Sequence, residues 1–521
     1  MPHTPNAHGG VRPQSRPVLM PSSVRYQSTR GGVHDLDFAD ILLSAYAADG
    51  GLFVPTLATM PTAIFDQLHA GMSLAHVTAR LLHPFTGIEV VKLVSLCAAA
   101  FSSFNNGLEP SLPLVRVGDR FFLETGAGPT LAFKDIGQQV VAQLLNHVLG
   151  SRGERATIIV ETSGDTGPAA IEAVRGCSAV RIFCLYPMGR VSHVQELQMI
   201  TVNSPNVHVY RTEGDTDEQA EALKVVFTDA EFMRRHKVCS INSINWARVL
   251  VQSGYYLWAC LQVAPDARMR VNFVVPTGAF GNAAGGLLAK RLGAPIERIV
   301  CATNANDIVH RTIQTGDLSF GANRQTISPA MDIQFAYNLE RLLFLCSAGD
   351  CSLVKAIMTE LESTRAVQLP RPVLDAIQHT FLSCAVDDAQ TLQAMREVYG
   401  AHGYALDPHS AVGVYALDHV HAVKAVCRSN PTICVLTAHP AKFGEACAQA
   451  GLPPSVCDDP RVDVLKTKPH HFTCLRDPGA GSRADKLQAW AREIMRAVEG
   501  QDELAQTSVL AATTRHSRSK L

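Results

Sequence analysis

The sequence predicts an α/β protein built on parallel, doubly wound sheets, and two observations carry this prediction. Apolar or β-branched runs of strand length recur along the chain, and a segment with helical spacing follows most of them. Such alternation is typical of βαβ units, in which helices cover both faces of a parallel sheet.

Helical spacing and turn residues set the order of the predicted elements. Run 37–46 has apolar residues at helical spacing and stops at Asp-Gly-Gly, 49–51. Strand runs then precede helical segments: 156–160 before 168–174, 181–186 before 195–199, and 271–275 before 283–292. Two more buried strands and a last helix are predicted at 299–303, 432–436 and 484–498.

Composition divides the chain into four parts. Residues 1–24 are rich in Pro, Gly, Ser, Arg and His and lack acidic residues, which indicates a mobile tail or, alternatively, a transit peptide. An N-terminal region, 25–110, has a mainly helical pattern, and 111–500 is long enough for two α/β domains. Residues 501–521 form a polar C-terminal tail, predicted to be unstructured from about residue 506 onward.

Bulk properties exclude several classes of protein. Hydrophobic residues make up 47% and charged residues 18%, which excludes overall disorder. The net charge of −1 provides no global attraction to nucleic acid or acidic membranes. The 14 cysteines are scattered without a CxxC pair, as expected in a reduced compartment. The pair His470-His471 lacks a third spaced ligand, so no metal site is predicted.

Lys134 stands between a phenylalanine and an aspartate, after a Gly-Pro turn and an apolar run (128–135). One interpretation is a solvated lysine at the start of a helix. The other is a lysine that forms a Schiff base with an aldehyde cofactor, which requires a strand-to-helix junction opening into a cleft.

Two glycine-rich turns downstream favour the second interpretation. Segments 161–167 and 276–286 each follow a strand run and precede a helical segment. Backbone N–H groups converge at such a helix start, where unpaired donors and the helix dipole favour an anion. The alternative is a pair of tight turns that use glycine for geometry only. Together with Lys134, the two turns predict a pyridoxal-phosphate enzyme whose substrate carries a carboxylate.

A third turn, 436–443, also follows a strand run. The hydroxyl of Thr437 could donate a hydrogen bond to a ring nitrogen of the cofactor. His439 and Lys442 are interpreted as helix-capping or solvated side chains.

These segments resemble the threonine synthase family of fold type II pyridoxal-phosphate enzymes. The resemblance extends over about residues 25 to 450 and implies two doubly wound parallel-sheet domains with an N-terminal helical region. Its motifs include 26–31, 49–55, 186–192, 242–248, 328–333 and 437–443.

The resemblance divides the site residues between cofactor and substrate. It implies Lys134 as the cofactor lysine, Thr437 at the pyridine nitrogen, and a phosphate cradle of Gly278, Ala279, Phe280, Gly281 and Asn282. The amino-acid carboxylate is assigned to Ser163, Gly164, Asp165 and Thr166, and the substrate phosphate to Asn245 and Arg248.

Two activities of the family are expected alternatives. Threonine synthase converts O-phosphohomoserine and water to threonine and phosphate, and the intact 437–443 motif is similar to true synthases. The related phospho-lyases degrade O-phosphothreonine or O-phosphoserine, and segments 306–312 and 336–341 are similar to this branch. The synthase is the expected activity, and an inactive paralogue that acts as a binding protein is a third alternative.

The chain departs from the family at one position. The family usually has an apolar or aromatic residue and a histidine before the glycine of the lysine motif. Here Glu124 is followed by Thr125-Gly126-Ala127-Gly128, so the histidine that would contribute to substrate handling is absent.

The sequence ends in Ser519-Lys520-Leu521, the tripeptide that the peroxisomal import receptor reads at a free C-terminus. We therefore expect import into a peroxisome or related microbody, with a cytosolic location as the alternative.

Overall fold

The computed structural model describes residues 24–214, 216–264, 269–477, 479 and 481–518, and its core contains two largely parallel β-sheets. The strands are β1 (Tyr26–Ser28), β2 (Phe53–Pro55), β3 (Leu114–Val117), β4 (Arg120–Glu124), β5 (Ala156–Glu161), β6 (Val180–Pro187), β7 (Val207–Thr212), β8 (Val238–Cys239), β9 (Val271–Pro276), β10 (Ile296–Thr303), β11 (Phe381–Ala385), β12 (Thr432–Leu436) and β13 (Thr473–Leu475).

Helices cover both sheets. They are α1 (Phe38–Leu42), α2 (Leu74–Thr86), α3 (Val90–Phe101), α4 (Lys134–Arg152), α5 (Thr166–Val174), α6 (His193–Ile200), α7 (Thr216–Thr228), α8 (Ala230–His236), α9 (Trp246–Val263), α10 (Gly281–Arg291), α11 (Ile308–Thr315), α12 (Leu339–Cys346), α13 (Cys351–Thr364), α14 (Arg371–Thr380), α15 (Asp388–His402), α16 (Pro408–His419), α17 (His421–Cys427), α18 (Gly444–Gln449), α19 (Pro460–Asp463) and α20 (Arg483–Arg518). Short 3-10 helices lie at Leu57–Thr59, Phe65–Gln67, Phe104–Gly107, Pro329–Met331, Pro440–Lys442, Pro454–Cys457 and Val464–Thr467.

The larger sheet has six strands in the order β11-β10-β9-β12-β4-β3. All neighbours are parallel except β3, which pairs antiparallel with β4 at one edge. The central strands β9 and β12 are buried at every residue, as expected for apolar runs covered by helices on both faces.

The smaller sheet has five parallel strands in the order β13-β7-β6-β5-β8. The parallel sheets confirm the predicted α/β class, and runs 156–160, 271–275 and 432–436 lie within β5, β9 and β12.

Helix α9 forms the centre of the molecule. Every residue from Trp246 to Leu261 is buried, which is the pattern of a helix packed on all sides. Among the described residues, no helix combines the length and apolar character that crossing a membrane requires. The described residues also contain no group of three His, Cys, Asp or Glu side chains placed to hold a metal ion.

The N-terminal region is less helical than predicted. It contains α1, α2 and α3, but β1 and β2 form a small antiparallel sheet. The helix expected over 37–46 ends at Leu42, and the chain beyond it turns so that the Asp49 carboxylate accepts the Ser28 hydroxyl and the Gly32 amide, both at 2.7 Å. Tertiary hydrogen bonds thus override the local helical pattern.

The C-terminal helix is longer than predicted. It includes the expected segment 484–498, where Leu487, Trp490, Ile494 and Val498 pack on the smaller sheet. It then continues to Arg518, so the prediction of an unstructured tail from about residue 506 is wrong for its described part. Residues 501–518 lack Pro and Gly and are rich in helix-forming Ala, Gln and Leu, which explains the extension. Residues 1–23 and 519–521, which carry the predicted N-terminal tail and the import tripeptide, lie outside the described residues.

Candidate active site

The Lys134 segment and the third turn form one structure at the carboxyl edge of the larger sheet. They follow the paired strands β4 and β12. The Phe133 amide donates to Thr437 O at 2.8 Å, and the His439 amide donates to Leu131 O at 3.1 Å. These antiparallel bonds place the Thr437 turn beside the first residue of α4, which is Lys134 itself.

Lys134 lies in a half-buried position that favours the neutral amine. Burial, together with the positive charges of Arg248 and Lys442, lowers its pKa to about 8, although the negative charge of Asp165 opposes the shift. A nucleophilic lysine needs such a lowered pKa, because only the unprotonated amine attacks a carbonyl group. Lys134 does begin α4, but its half-buried position does not fit a fully solvated lysine.

The predicted phosphate cradle is the turn between β9 and α10. Phe280 has a left-handed backbone conformation (φ 63°), which is uncommon outside glycine and recurs at functional sites. A Cβ atom at Gly281 would lie 2.9 Å from Ser243 Cβ, and one at Gly278 would lie 3.1 Å from Met331 Cα. A side chain at Gly281 would therefore displace Ser243, and one at Gly278 would make a tight contact with the backbone. Gly278 and Ala279 are half-buried, so this turn is partly accessible to solvent.

Asn282 supplies an unpaired donor to this cradle. Its Oδ1 accepts the hydroxyl groups of Tyr255 and Tyr256, which fixes the side-chain amide, and the Tyr256 bond measures 2.6 Å. Its buried Nδ2 has no protein partner. The first amide of α10 with a backbone acceptor is that of Ala284, which bonds to Phe280 O at 2.9 Å. An unpaired donor at a helix start fits a phosphate group.

The predicted carboxylate-binding turn lies between β5 and α5, where Thr162 organises the backbone. The buried Thr162 hydroxyl oxygen accepts the amides of Gly164 and Gly167 at 3.1 and 3.0 Å. Ser163 and Thr166 are half-buried at the cleft, and Thr166 begins α5. These positions leave Ser163 and the helix start available to a ligand carboxylate.

Asp165 and Lys442 form a fully buried ion pair at this turn. The Lys442 Nζ lies 2.6 Å from Asp165 Oδ1, with side-chain exposures of 0% and 3%. The interpretation of Lys442 as a capping or solvated side chain is thus wrong, whereas His439 does cap a 3-10 helix by accepting the Ala441 amide. The Asp165 carboxylate has the same charge as a substrate carboxylate and is already paired with Lys442. Any contribution of Asp165 to binding therefore comes from its backbone.

Thr437 is held by a group that the sequence analysis missed. Its amide donates to Ser410 Oγ at 2.9 Å, and the Ser410 hydroxyl donates to Asp407. Asp407 also accepts from His409 Nδ1 at 3.0 Å, while His409 Nε2 accepts the Ala330 amide at 3.2 Å. The sequence Asp407-Pro408 is a recognisable helix start, but its contact with a turn 27 residues later is tertiary.

The two residues predicted for the substrate phosphate differ in their surroundings. Asn245 caps α9 by accepting the Ala247 amide, and its Nδ2 donates to the carbonyl oxygens of Leu42 and Ser240 at 2.9 and 3.0 Å. Its donors are therefore occupied. Arg248 is buried with an unpaired Nε, and its charge acts on Lys134. The prediction is better supported for Arg248 than for Asn245.

The segment that lacks the family histidine packs tightly against the Thr437 turn. A Cβ atom at Gly126 would lie 2.9 Å from the carbonyl carbon of Ala438. The Thr125 hydroxyl donates to Leu436 O at 2.6 Å. A small residue at 126 is thus a structural requirement of this turn.

Glu161 is a second group that the sequence analysis did not single out. It is the last residue of β5, directly before the carboxylate-binding turn, and it is half-buried. Burial raises the pKa of its carboxyl group to about 7. Its charge also acts on the phenol groups of Tyr46 and Tyr337, which places these three side chains near one another.

Three family profiles match the chain. "Pyridoxal-phosphate dependent enzyme" matches residues 113–438, "Threonine synthase N terminus" matches 25–101, and "Threonine synthase, C-terminal" matches 410–482.

Relatives cover nearly the same length. "Threonine synthase-like 2" of Homo sapiens is 40% identical over 460 residues, which are 87% of this chain and 94% of that protein. "Threonine synthase" of Pseudomonas aeruginosa is 37% identical, covering 82% of this chain and 91% of that protein. Among solved structures, yeast threonine synthase has a TM-score of 0.83 at 32% identity, covering 93% of this chain and 99% of that chain. The PLP-bound threonine synthase of Brucella melitensis has a TM-score of 0.79 at 37% identity, covering 92% and 99%.

The fold, the half-buried Lys134 and the glycine-rich turn before α10, together with these matches, define a pyridoxal-phosphate enzyme of fold type II. Pyridoxal phosphate is its cofactor. Within that class, the chain belongs to the threonine synthase family.

Proposed function

We propose that this protein is a threonine synthase, which converts O-phosphohomoserine and water to threonine and phosphate. The observation that carries the proposal is the position of Lys134, a lysine with a pKa lowered to about 8, among two anion-binding turns and the Thr437 turn. One turn suits the cofactor phosphate and the other suits an amino-acid carboxylate.

The cofactor supplies an electron sink for carbanions when it is bound. Lys134, whose pKa lies near neutrality, is suited to take a proton from the substrate and return it to another carbon. Thr437 would offer the ring nitrogen a neutral hydroxyl group, which would leave the ring less electron-poor than a carboxylate partner would. Such a ring suits elimination and replacement at the β and γ carbons.

Arg248 is the favoured group for the phosphate that leaves the substrate. Its guanidinium is buried, one of its donors is unpaired, and burial lowers its pKa to about 10, so it stays charged at neutral pH. A leaving phosphate needs a positive charge and hydrogen-bond donors.

The second candidate is a phospho-lyase that degrades O-phosphothreonine or O-phosphoserine to a 2-oxo acid, ammonia and phosphate. Two observations favour it: the absence of the family histidine before Gly128, and 40% identity to a relative named threonine synthase-like 2. Both candidates share phosphate elimination and differ in the fate of the carbon skeleton.

Purified protein with O-phosphohomoserine, O-phosphothreonine and O-phosphoserine, assayed side by side, distinguishes the candidates. Phosphate release reports elimination, and chromatography identifies the product. Threonine from O-phosphohomoserine supports the synthase, and 2-oxobutanoate or pyruvate supports the phospho-lyase. Phosphate release from none of the three overturns both and favours an inactive paralogue.

We also propose that the protein is imported into peroxisomes, with Ser519-Lys520-Leu521 as the targeting signal that the import receptor binds. A fluorescent protein that ends in residues 507–521 tests the signal against the same fusion without Leu521. Punctate fluorescence only with Leu521 supports the proposal, and diffuse fluorescence from both fusions contradicts it.

A further inference from the structure

The ion pair between Asp165 and Lys442 joins two turns that belong to different sheets. Asp165 follows β5 of the smaller sheet, and Lys442 follows β12 of the larger sheet. The atoms Lys442 Nζ and Asp165 Oδ1 are 2.6 Å apart, and neither side chain is solvated. A buried pair carries a desolvation penalty that commonly cancels its attraction, so stability alone is a weak reason for it.

Further hydrogen bonds extend the pair to the Lys134 segment. Lys442 Nζ also donates to Thr130 O at 2.9 Å, and Gln198 Nε2 donates to the same oxygen at 3.0 Å. Gln195 Nε2 donates to Asp165 Oδ1 at 2.9 Å. The pair therefore holds the carboxylate-binding turn, the Thr437 turn and the cofactor-lysine segment in one arrangement.

The two members of the pair act on Lys134 with opposite sign. Asp165 raises the pKa of Lys134, whereas Lys442 and Arg248 lower it. Burial opposes the ionisation of Asp165, but the positive charges of Lys442 and Lys134, with His409 also facing it, hold its pKa well below its usual range. Asp165 therefore remains an anion, and Lys442 is the cation in direct contact with it beside Lys134.

We propose that Lys442 is a positioning residue, whose buried ion pair with Asp165 fixes the carboxylate-binding turn against the cofactor side of the cleft and balances charge beside Lys134. The inference rests on the proposed role of Lys134 as the cofactor lysine. Without Lys442, Asp165 pairs with Lys134 and holds it as the ammonium ion, which cannot attack the cofactor aldehyde.

An ion pair with only a structural role leads to a different expectation. Replacing either Asp165 or Lys442 would then lower stability but leave the reactivity of Lys134 unchanged. Charge balance predicts opposite shifts for the two single variants, because one removes a positive and the other a negative charge.

The experiment measures how readily Lys134 reacts at each pH. Cofactor-free protein is mixed with pyridoxal phosphate at pH 6 to 10 and reduced with borohydride, and peptide mass spectrometry locates the adduct. The variants are Lys442→Met, Asp165→Asn, the double variant, and Lys442→Arg. The exposed ion pair of Lys466 and Asp463 provides the matched control, Lys466→Met.

We expect the pH midpoint for Lys134 labelling to rise by roughly one unit in Lys442→Met and to fall in Asp165→Asn. The double variant and Lys442→Arg return close to the wild-type midpoint, and Lys466→Met does not move it. The double variant keeps the side-chain volume but removes both charges, so it remains folded even where a single variant does not.

The outcomes test separately the assignment of Lys134 as the cofactor lysine and the role of Lys442 beside it. An adduct on a lysine other than Lys134 overturns the assignment of the cofactor lysine. Labelling of Lys134 with the same midpoint in every folded variant leaves that assignment intact and overturns the charge-balancing role of Lys442. A double variant shifted as far as Lys442→Met also overturns that role.

Discussion

The two turns proposed to bind anions have the same placement, a strand end before a helix, but they are built differently. The turn before α10 is shaped by backbone: Gly278 and Gly281 leave no room for Cβ atoms, and its side chains are uncharged. The turn before α5 is shaped by side chains, with the Thr162 hydroxyl bonded to its amides and Asp165 paired to Lys442.

The difference matches the two ligands. The cofactor phosphate stays bound through many turnovers, so a rigid and uncharged backbone cradle suits it. The substrate enters and leaves, and its turn depends on groups whose protonation and hydrogen bonds can change. Sensitivity to pH is therefore expected mainly from Glu161, which directly precedes the substrate turn and whose pKa burial raises to about 7.

Lys134 is the proposed cofactor lysine, so its replacement is expected to have the largest effect on activity. Lys134→Ala should lower turnover by about a thousandfold and abolish the borohydride-reducible adduct, because no amine remains to attack the aldehyde. Phosphate binding at the cradle should survive, which fluorescence titration with pyridoxal phosphate measures. The exposed Lys92 provides the control Lys92→Ala. Normal turnover, or an unchanged adduct on another lysine, contradicts the assignment.

Thr162→Val should destabilise the substrate turn without affecting the cradle. The valine keeps the volume but leaves the buried amides of Gly164 and Gly167 without their acceptor, which costs about 2 kcal/mol in the free energy of unfolding. Urea denaturation measures this loss, and cofactor affinity should change little. Thr162→Ser retains the hydroxyl and is the matched control. Equal stability of the two variants would mean that the hydrogen bonds are replaced by water.

Gly281→Ala should have the opposite effect to Thr162→Val: it should weaken cofactor binding more than it lowers the stability of the fold. The new Cβ atom meets Ser243 Cβ at 2.9 Å and displaces the cradle. We expect the apparent cofactor affinity to fall by about tenfold, or about 1.4 kcal/mol. Gly400 has open space around its Cβ position, so Gly400→Ala is the control. If titration shows the same cofactor affinity in the variant as in the wild type, the Gly281 turn has only a structural role.

Glu161→Gln should have the smallest effect, confined to the pH dependence of stability. The pKa of this carboxyl group rises from 4.5 to about 7 on folding, so the native state binds the extra proton between these values. Wild-type stability therefore falls as pH rises through this window, and the variant should lack that fall. The gain at pH 8 should be about 1 kcal/mol, less than the full shift implies because the group is half-buried. Thermal unfolding from pH 5 to 8 measures it, with exposed Glu360→Gln as control. Parallel curves for wild type and Glu161→Gln would contradict the pKa shift.

The sequence predicts those parts of the site that depend on local pattern. Lys134 begins a helix, and Gly278 and Gly281 lie where side chains cannot fit, because strand runs, glycines and helix starts are local signals. The parallel-sheet class follows from the same signals.

Long-range partners could not be predicted from the same patterns. Lys442 pairs with Asp165 across 277 residues of sequence, and Ser410 supports Thr437 from a separate helix. A lysine in a polar turn has the same local pattern whether it is solvated or buried, since only the tertiary fold decides its surroundings. The same reason explains Glu161, which is an ordinary strand-end residue until the turn before α5 and the tyrosines surround it.

The order of strands in the larger sheet determines when the site can first exist during synthesis. Strand β12 lies between β4 and β9, although the ribosome makes it more than 150 residues after β9. The sheet therefore has a gap at its centre until residue 436 has emerged, and the turns that follow β4 and β9 have no shared edge to define them. A nascent chain that stops before β12 can make Lys134 and the glycine cradle but cannot bring them together. Such non-local strand pairing closes late and slowly, so capture of the vitamin-derived cofactor must await nearly the whole polypeptide.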